Sequence, residues 1–240
     1  MRICAAEFPD ELRRYEGAID SLAEHVSEMR PDLLVLPEMP FTPWIFHIDA
    51  SDDKQLSATV ENHAKWLDRL ADAIPSPIIT SCPVRKKDRF LNQAIYLNAE
   101  RALHPLRAKC YLPNDFPALE RVWFDEGDSP LGVFDILEQR VGIQICSEIM
   151  YAEIPRLLSE KGVEIIIQAR ATGDHPRWRA ASILAASTAG AFVVGANRRS
   201  VERDWFAGGS WIYSPAGELL GESSLGQRFV TVEIDTSNTR

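Results

Sequence analysis

Cys146 closes the apolar run VGIQI at 141–145 and is followed at once by Ser147 and Glu148, so a thiol stands where a buried segment gives way to a polar turn. A nucleophile at a strand end is fixed by the sheet yet open to a substrate. A thiol becomes potent there when a neighbouring base or cation favours its thiolate. Alone, a cysteine is more often a small packing residue. Two other positions change the balance. Glu38 ends the apolar run LLVLP at 33–37, and Lys109 ends a loosely alternating segment before Cys110, Tyr111, Leu112 and Pro113. Each has an ordinary explanation by itself, a carboxylate or an ammonium meeting water. Together, an acid, a cation and a thiol, each at a strand end that enters a polar or proline-marked loop, describe one site at the edge of a sheet.

The elements that must position them alternate along the chain. Residues 1–6 read as a strand, 11–29 as an amphipathic helix and 32–36 as a second strand. A helix over 55–74 precedes a strand at 77–81, and strands at 92–98 and 101–108 share a turn at Ala99 and Glu100, as a hairpin would. After a loop from 113 to 130 come strands near 133–137 and 141–145, a helix over 152–161 and a strand at 163–168. A helix over 177–189, a strand at 192–196 and a β-rich tail from 208 to 235 follow. Runs such as LLVL, EIIIQ and AFVVGA hardly alternate, as expected of strands covered on both faces.

With these motifs in order the chain resembles the nitrilase superfamily, the carbon-nitrogen hydrolases, along nearly its whole length. The resemblance runs through MRICAA at 1–6, LPE at 36–38, KCYLP at 109–113, ERVWFDEG at 120–127, GIQICSE at 142–148, GANR at 195–198 and GGS at 208–210. It implies an α/β fold, a four-layer α-β-β-α sandwich, as a single domain over 1–240. It implies a Glu-Lys-Cys triad in which Glu38 is the general base, Lys109 the cation and Cys146 the nucleophile. Glu120 falls where the family places a second glutamate; it aligns Lys109, contacts the leaving nitrogen, or forms a structural ion pair. The chemistry suits these residue types. Thiolate attack and later hydrolysis of a thioester divide one hard step in two. One carboxyl group relays the protons, and Lys109 with the backbone N–H of Ser147 forms an oxyanion hole. Neither donor calls for a metal or a cofactor.

The chain departs from the family wording after the nucleophile. Met150 replaces an arginine and Ala152 a proline, while Glu148 and Glu153 keep acidic positions. Met150 weakens a carbamoyl-amino-acid assignment, and Ser147, where true nitrilases carry tryptophan, favours an amide over a nitrile. The expectation is therefore a small-molecule amidase, with an N-carbamoyl amide hydrolase, a nitrilase or a catalytically silent binding protein as alternatives. A serine amidase built on Ser223 and Ser224 lacks a lysine motif around it. Phe41, Trp44, Phe116 and Trp123 lie in adjoining loops as candidate pocket walls. Arg170, after the apolar run 164–169, is a candidate for gripping a substrate carboxylate, against an ion pair with Asp174 or Glu148. His175 is a candidate pocket residue, while Arg198 and Arg199 read as structural or solvated.

Composition narrows the partners. The chain has 240 residues, 45% hydrophobic and 25% charged, enough for a substantial core. Its net charge of −9 disfavours nucleic acid or anionic membrane as a partner and leaves a small molecule. No signal-like or membrane-spanning stretch stands out. Cys4, Cys82, Cys110 and Cys146 are scattered, without zinc spacing and too few for a disulfide scaffold, which points to a reducing cytoplasm. Apolar positions at Ile154, Leu157, Leu158, Ile183 and Leu184, with the resemblance, point to a homodimer or higher homo-oligomer.

Overall fold

The computed structural model describes residues 1–47, 51–115 and 118–239. The chain opens with β1 (Arg2–Ala6) and the two-residue β2 (Phe8–Pro9), winds into α1 (Tyr15–Met29), returns as β3 (Leu33–Glu38), crosses over in α2 (Asp53–Ala73) and continues as β4 (Ile78–Lys86), β5 (Arg89–Leu97) and β6 (Leu103–Ala108). Two short strands, β7 (Asn114–Asp115) and β8 (Ala118–Leu119), and one helical turn, α3 (Glu120–Trp123), lead to the second half. That half comprises β9 (Val133–Ile136), β10 (Gln139–Ile145), α4 (Glu153–Glu160), β11 (Ile165–Arg170), α5 (Pro176–Ala189), β12 (Phe192–Arg199), β13 (Trp211–Tyr213), β14 (Leu219–Glu222) and β15 (Phe229–Glu233).

The strands form two main sheets, ordered β15-β1-β3-β4-β5-β6 and β14-β13-β12-β11-β10-β9, with β2 added to β12. Side chains alternate across a strand, and this alternation builds the layers. Ile3, Ala5, Leu33, Val35 and Ile79 of the first sheet meet Ile143, Ile145, Ile165, Ile167 and Val194 of the second in one buried cluster. The intervening residues Cys4, Ala6, Leu34, Leu36 and Ile78 turn the other way, onto Ile19, Leu22, Leu67 and Leu70 of α1 and α2. On the far side Ile166 and Val193 pack against Leu158 of α4 and Ala185, Ala186 and Ala189 of α5, whose small side chains let that helix lie close. The result is the four-layer α-β-β-α sandwich that the resemblance implied.

Most elements lie where their periodicity places them, and the β5–β6 hairpin pairs Leu97 with Leu103 around the expected turn. Two differences matter for function. β4 continues past Ser81 to Lys86 and makes a hairpin with β5, pairing Lys86 with Arg89. The stretch expected to be loop between 113 and 130 contains α3, which begins on Glu120. Of the apolar positions on the last two helices, Ile154 and Leu158 are core, while Leu184 is 53% exposed beside Met150 at 44%.

Candidate active site

Glu38 is the last residue of β3 and is fully buried. The backbone turns left-handed immediately after it, at Met39 with φ 41°, a conformation that costs a side-chain-bearing residue about 1 kcal/mol or more. Neighbouring groups hold this turn. Met39 N donates to the Ser81 carbonyl at 3.1 Å and to Ser81 Oγ at 3.2 Å. The buried Arg198 guanidinium donates to the carbonyls of Met39 and Thr42 at 3.0 and 2.7 Å and pairs with Asp10. Arg198 is thus structural, as its sequence context suggested.

Lys109 follows β6 and is pinned by its backbone, its N–H donating to the Asn92 carbonyl at 2.8 Å. Its ammonium is completely buried and donates to Glu38 Oε1 and to both oxygens of Glu120, each at 2.8 Å. Asn92 Nδ2 donates to the same Glu38 oxygen at 2.8 Å. Glu38 Oε1 is therefore occupied twice. Its Oε2 is buried and has no hydrogen-bond partner among the described residues, which makes it the oxygen available to take a proton.

Cys146 sits at the end of β10, on the opposite sheet, where the chain enters a 3-10 turn over Cys146–Met150. Its own φ of 48° is also left-handed. Its Sγ donates weakly to the Ala171 carbonyl at 3.8 Å. Burial, then the charge of Glu38, push the thiol well above its ordinary value, with Lys109 opposing them. The resting group is a protonated thiol that needs a base. Burial also pulls on the Lys109 ammonium, but the charges of Glu120 and Glu38 overcome it and hold that pKa above the usual lysine range. Glu120 is pushed up to about 7, first by burial and, against the pull of Lys109, by the charge of Glu38. A carboxyl group buried beside another carboxylate keeps its proton to higher pH for this reason.

A second buried pair joins the halves of the site. Glu148 Oε1 accepts from Arg107 Nη2 at 2.6 Å and from Cys110 N at 2.7 Å, while its Oε2 accepts from Arg107 Nη1 at 2.6 Å and from Ile145 N at 2.8 Å. One carboxylate thereby ties the chain next to Lys109 to the turn bearing Cys146. Ser147 Oγ donates to the Tyr111 carbonyl at 2.7 Å and adds a further tie between the same segments.

Glu38, Lys109 and Glu120 thus come together in one buried cluster whose charges act on the Cys146 thiol, with Ser147 on the same turn as the cysteine. Trp44 and Trp123 belong to an aromatic cluster with Phe46, Phe206 and Ala171, the residue whose carbonyl meets the Cys146 thiol. Phe116 lies outside the described residues. Phe41 and Arg170 lie away from this cluster. Phe41 packs edge-on against Phe8 and Tyr15 in the helix-covered layer beneath α1 and α2, because the chain has turned outward after Met39. Arg170 does not join the cluster: it extends across β12 onto Trp211, with its Cζ 3.4 Å from the ring centroid. Neither Asp174 nor Glu148 pairs with it. His175 caps α5 by accepting from Arg177 N at 3.1 Å, and Ser223 Oγ is bound to Glu7 at 3.1 Å. Sequence reasoning missed Asn92 and Arg107. Asn92 stands next to Gln93 in a strand of mixed polarity, so its pattern did not single it out.

The model of the carbon-nitrogen hydrolases matches residues 3–240. A citrullinase of Francisella tularensis subsp. tularensis is 22% identical over 169 residues, which are 70% of this chain and 58% of that protein's length. The crystal structure of a carbon-nitrogen hydrolase from Helicobacter pylori G27 superposes with a TM-score of 0.83 at 22% identity, covering 99% of this chain and 89% of that one. An amidase from Nesterenkonia sp. gives a TM-score of 0.80 at 18% identity over 100% of this chain and 92% of its own. A mutant of the Nesterenkonia sp. AN1 amidase, with a TM-score of 0.77 at 20% identity over 100% and 95% of the two chains, carries acrylamide added to its active site cysteine. Together with the two-sheet architecture, the match along the sequence shows that this chain belongs to the carbon-nitrogen hydrolase family.

Proposed function

We propose that the protein is a small-molecule amidase that acts through a thioester on Cys146. The observation that carries this reading is the buried ammonium of Lys109, held between Glu38 and Glu120 beside a thiol that cannot ionise unaided. Glu38 Oε2 takes the thiol proton as sulfur attacks the carbonyl carbon. The charge that develops on oxygen is met by Lys109 and the backbone N–H of Ser147. The protonated Glu38 then gives its proton to the departing nitrogen, leaving an acyl-thioester and ammonia or an amine. The same carboxylate activates the water that releases the acid. Glu120 keeps Lys109 in place and, holding a proton near neutrality, supplies a second acid close to the leaving group.

The acrylamide adduct on the cysteine of the Nesterenkonia amidase supports amide-sized substrates, and the citrullinase similarity supports a ureido compound as the second reading. Ammonia release should therefore be measured over short neutral amides, citrulline and a nitrile, with intact mass recording an acyl adduct. The expected result is fastest turnover of an amide, and a single iodoacetamide label on Cys146 that stops it. A nitrile hydrolysed faster than every amide would overturn the assignment. Cys4 and Cys82, whose thiols burial pushes up to about 12, should stay unlabelled.

No helix among the described residues is long and apolar enough to cross a membrane. Four free cysteines fit a reducing cytoplasm. We also propose a two-fold dimer through the face where Met150 and Leu184 are exposed beside the half-buried Ile183. Light scattering at micromolar concentration should give twice the chain mass and Leu184→Glu a monomer; a wild-type monomer would refute the dimer.

A further inference from the structure

Arg170 lies in a cavity of about 400 Å³ that none of Glu38, Lys109, Glu120 or Cys146 lines. Its walls are the first turn of α5 with Pro176 and Trp178, the turn at Gly208 and Gly209, and Trp211. Arg170 is 1% exposed, donates from Nη2 to the Gly209 carbonyl at 2.5 Å and from Nη1 to Thr172 Oγ1 at 3.3 Å, and lies flat on the Trp211 indole. No carboxylate among the described residues pairs with it. Glu148 belongs to Arg107, Glu222 to Arg179 and Glu7 to Arg199. Asp174, the remaining acid on the wall, is exposed at the rim.

Two residues that line this cavity each carry a buried donor with no acceptor among the described residues, Arg170 Nε and Trp211 Nε1. They lie together over Gly195. A Cβ at that residue would stand 3.3 Å from the first and 2.7 Å from the second, so glycine leaves the room for guanidinium and indole to cross β12. An unmet buried donor costs roughly 1–3 kcal/mol, and more when charged. Such groups are rare in folded proteins unless something completes them. A second cation, Arg179, has its Cζ 5.0 Å from the same ring centroid. The positive end of the 14-residue α5 adds to the field. Arg170 thus brings a cation without a carboxylate partner, and donors in want of an acceptor, to a lining of mixed polarity in which Arg179 is paired with Glu222 and Pro176, Trp178 and Trp211 supply apolar surface.

We propose that this cavity binds a small organic carboxylate, its oxygens on Arg170 and Trp211 Nε1 and its apolar body against Trp178 and Pro176. The apolar surface of Pro176, Trp178 and Trp211 gives an organic anion a contact that a bare inorganic one would not make. The cavity lies close behind the nucleophile: Thr172, which accepts from Arg170, follows Ala171, whose carbonyl accepts from the Cys146 thiol. It is nevertheless distinct from the acyl pocket of the proposed amidase.

The test titrates the full chain, unmodified and alkylated with iodoacetamide, and its Cys146→Ala variant with butanoate, butanamide and inorganic phosphate, following heat and tryptophan fluorescence. Saturable one-to-one binding of butanoate to all three proteins is expected, with butanamide bound at least tenfold more weakly, because only the anion makes a charge-assisted pair. Arg170→Met should weaken butanoate at least tenfold. Arg179→Gln, at a half-exposed site, should weaken it severalfold. Unchanged affinity in whichever of these two variants folds would overturn the proposal. So would tighter binding of phosphate, loss of butanoate binding on alkylation, or no saturable binding, which would leave the two donors to a buried water. None of these titrations depends on turnover, so failure of the amidase reading and failure of this one are separately visible.

Discussion

Glu38→Gln is expected to lower kcat by roughly 10²–10⁴-fold, the usual worth of a positioned general acid-base group, while circular dichroism and the melting temperature stay near wild type. Glutamine keeps an oxygen for the hydrogen bonds from Lys109 and Asn92, so the scaffold around it survives. What disappears is the basic oxygen, Oε2, in a site where the thiol is held protonated. The substitution also removes a like charge that helps to raise Glu120. The pKa of Glu120 should fall below about 7, and any residual activity that needs its acid form should fade at a lower pH than in wild type. Wild-type turnover in a folded Glu38→Gln protein would place the base elsewhere. Lys109→Ala is a less clean probe, since it leaves two buried carboxylates facing each other without their shared cation.

The largest effect on stability is expected from Glu148→Ala. It leaves the buried Arg107 guanidinium without a counter-charge and the N–H groups of Cys110 and Ile145 without an acceptor. Breaking one side of a buried ion pair costs about 3–5 kcal/mol, a large part of the 5–15 kcal/mol that holds a typical domain together. Urea unfolding should report it as a lower midpoint. Replacing both partners, Arg107→Met with Glu148→Met, should recover part of the loss, because no charge is then stranded. A cost below about 1 kcal/mol for Glu148→Ala would mean that water reaches Arg107 and that the tie between the two segments is dispensable.

The placement of Glu38, Lys109 and Cys146 at or just after strand ends was legible in the sequence, because strand ends announce themselves by a change from apolar to polar residues. The remainder of the site is built by pairings that sequence order conceals. Asn92 reaches Glu38 through the β4–β5 hairpin, whose strands carry Pro83, Arg85, Lys86 and Arg89 in a pattern that blurs the period of two. Arg107, two residues before Lys109, looks like one more surface charge until β6 is seen to end against the turn at Glu148. Phe41 was misplaced because closeness to Glu38 along the chain stood in for closeness in space. The left-handed step at Met39 reverses that direction. The face on which Arg170 lies follows from strand alternation, but its reach across β12 depends on Gly195, a residue whose effect is the space it leaves empty.

The groups proposed to carry the reaction do not share a sheet. Glu38 and Lys109 hang from the first and Cys146 from the second, and between the sheets lies the aliphatic layer of Ile3, Val35, Ile143, Ile145 and Ile167. In the proposed mechanism that layer acts as a spacer gauge: its thickness sets how far sulfur stands from Glu38. A methyl group removed there changes a reach in the reaction as well as a packing energy, so a substitution far from any substrate atom would act on kcat through the separation of the sheets.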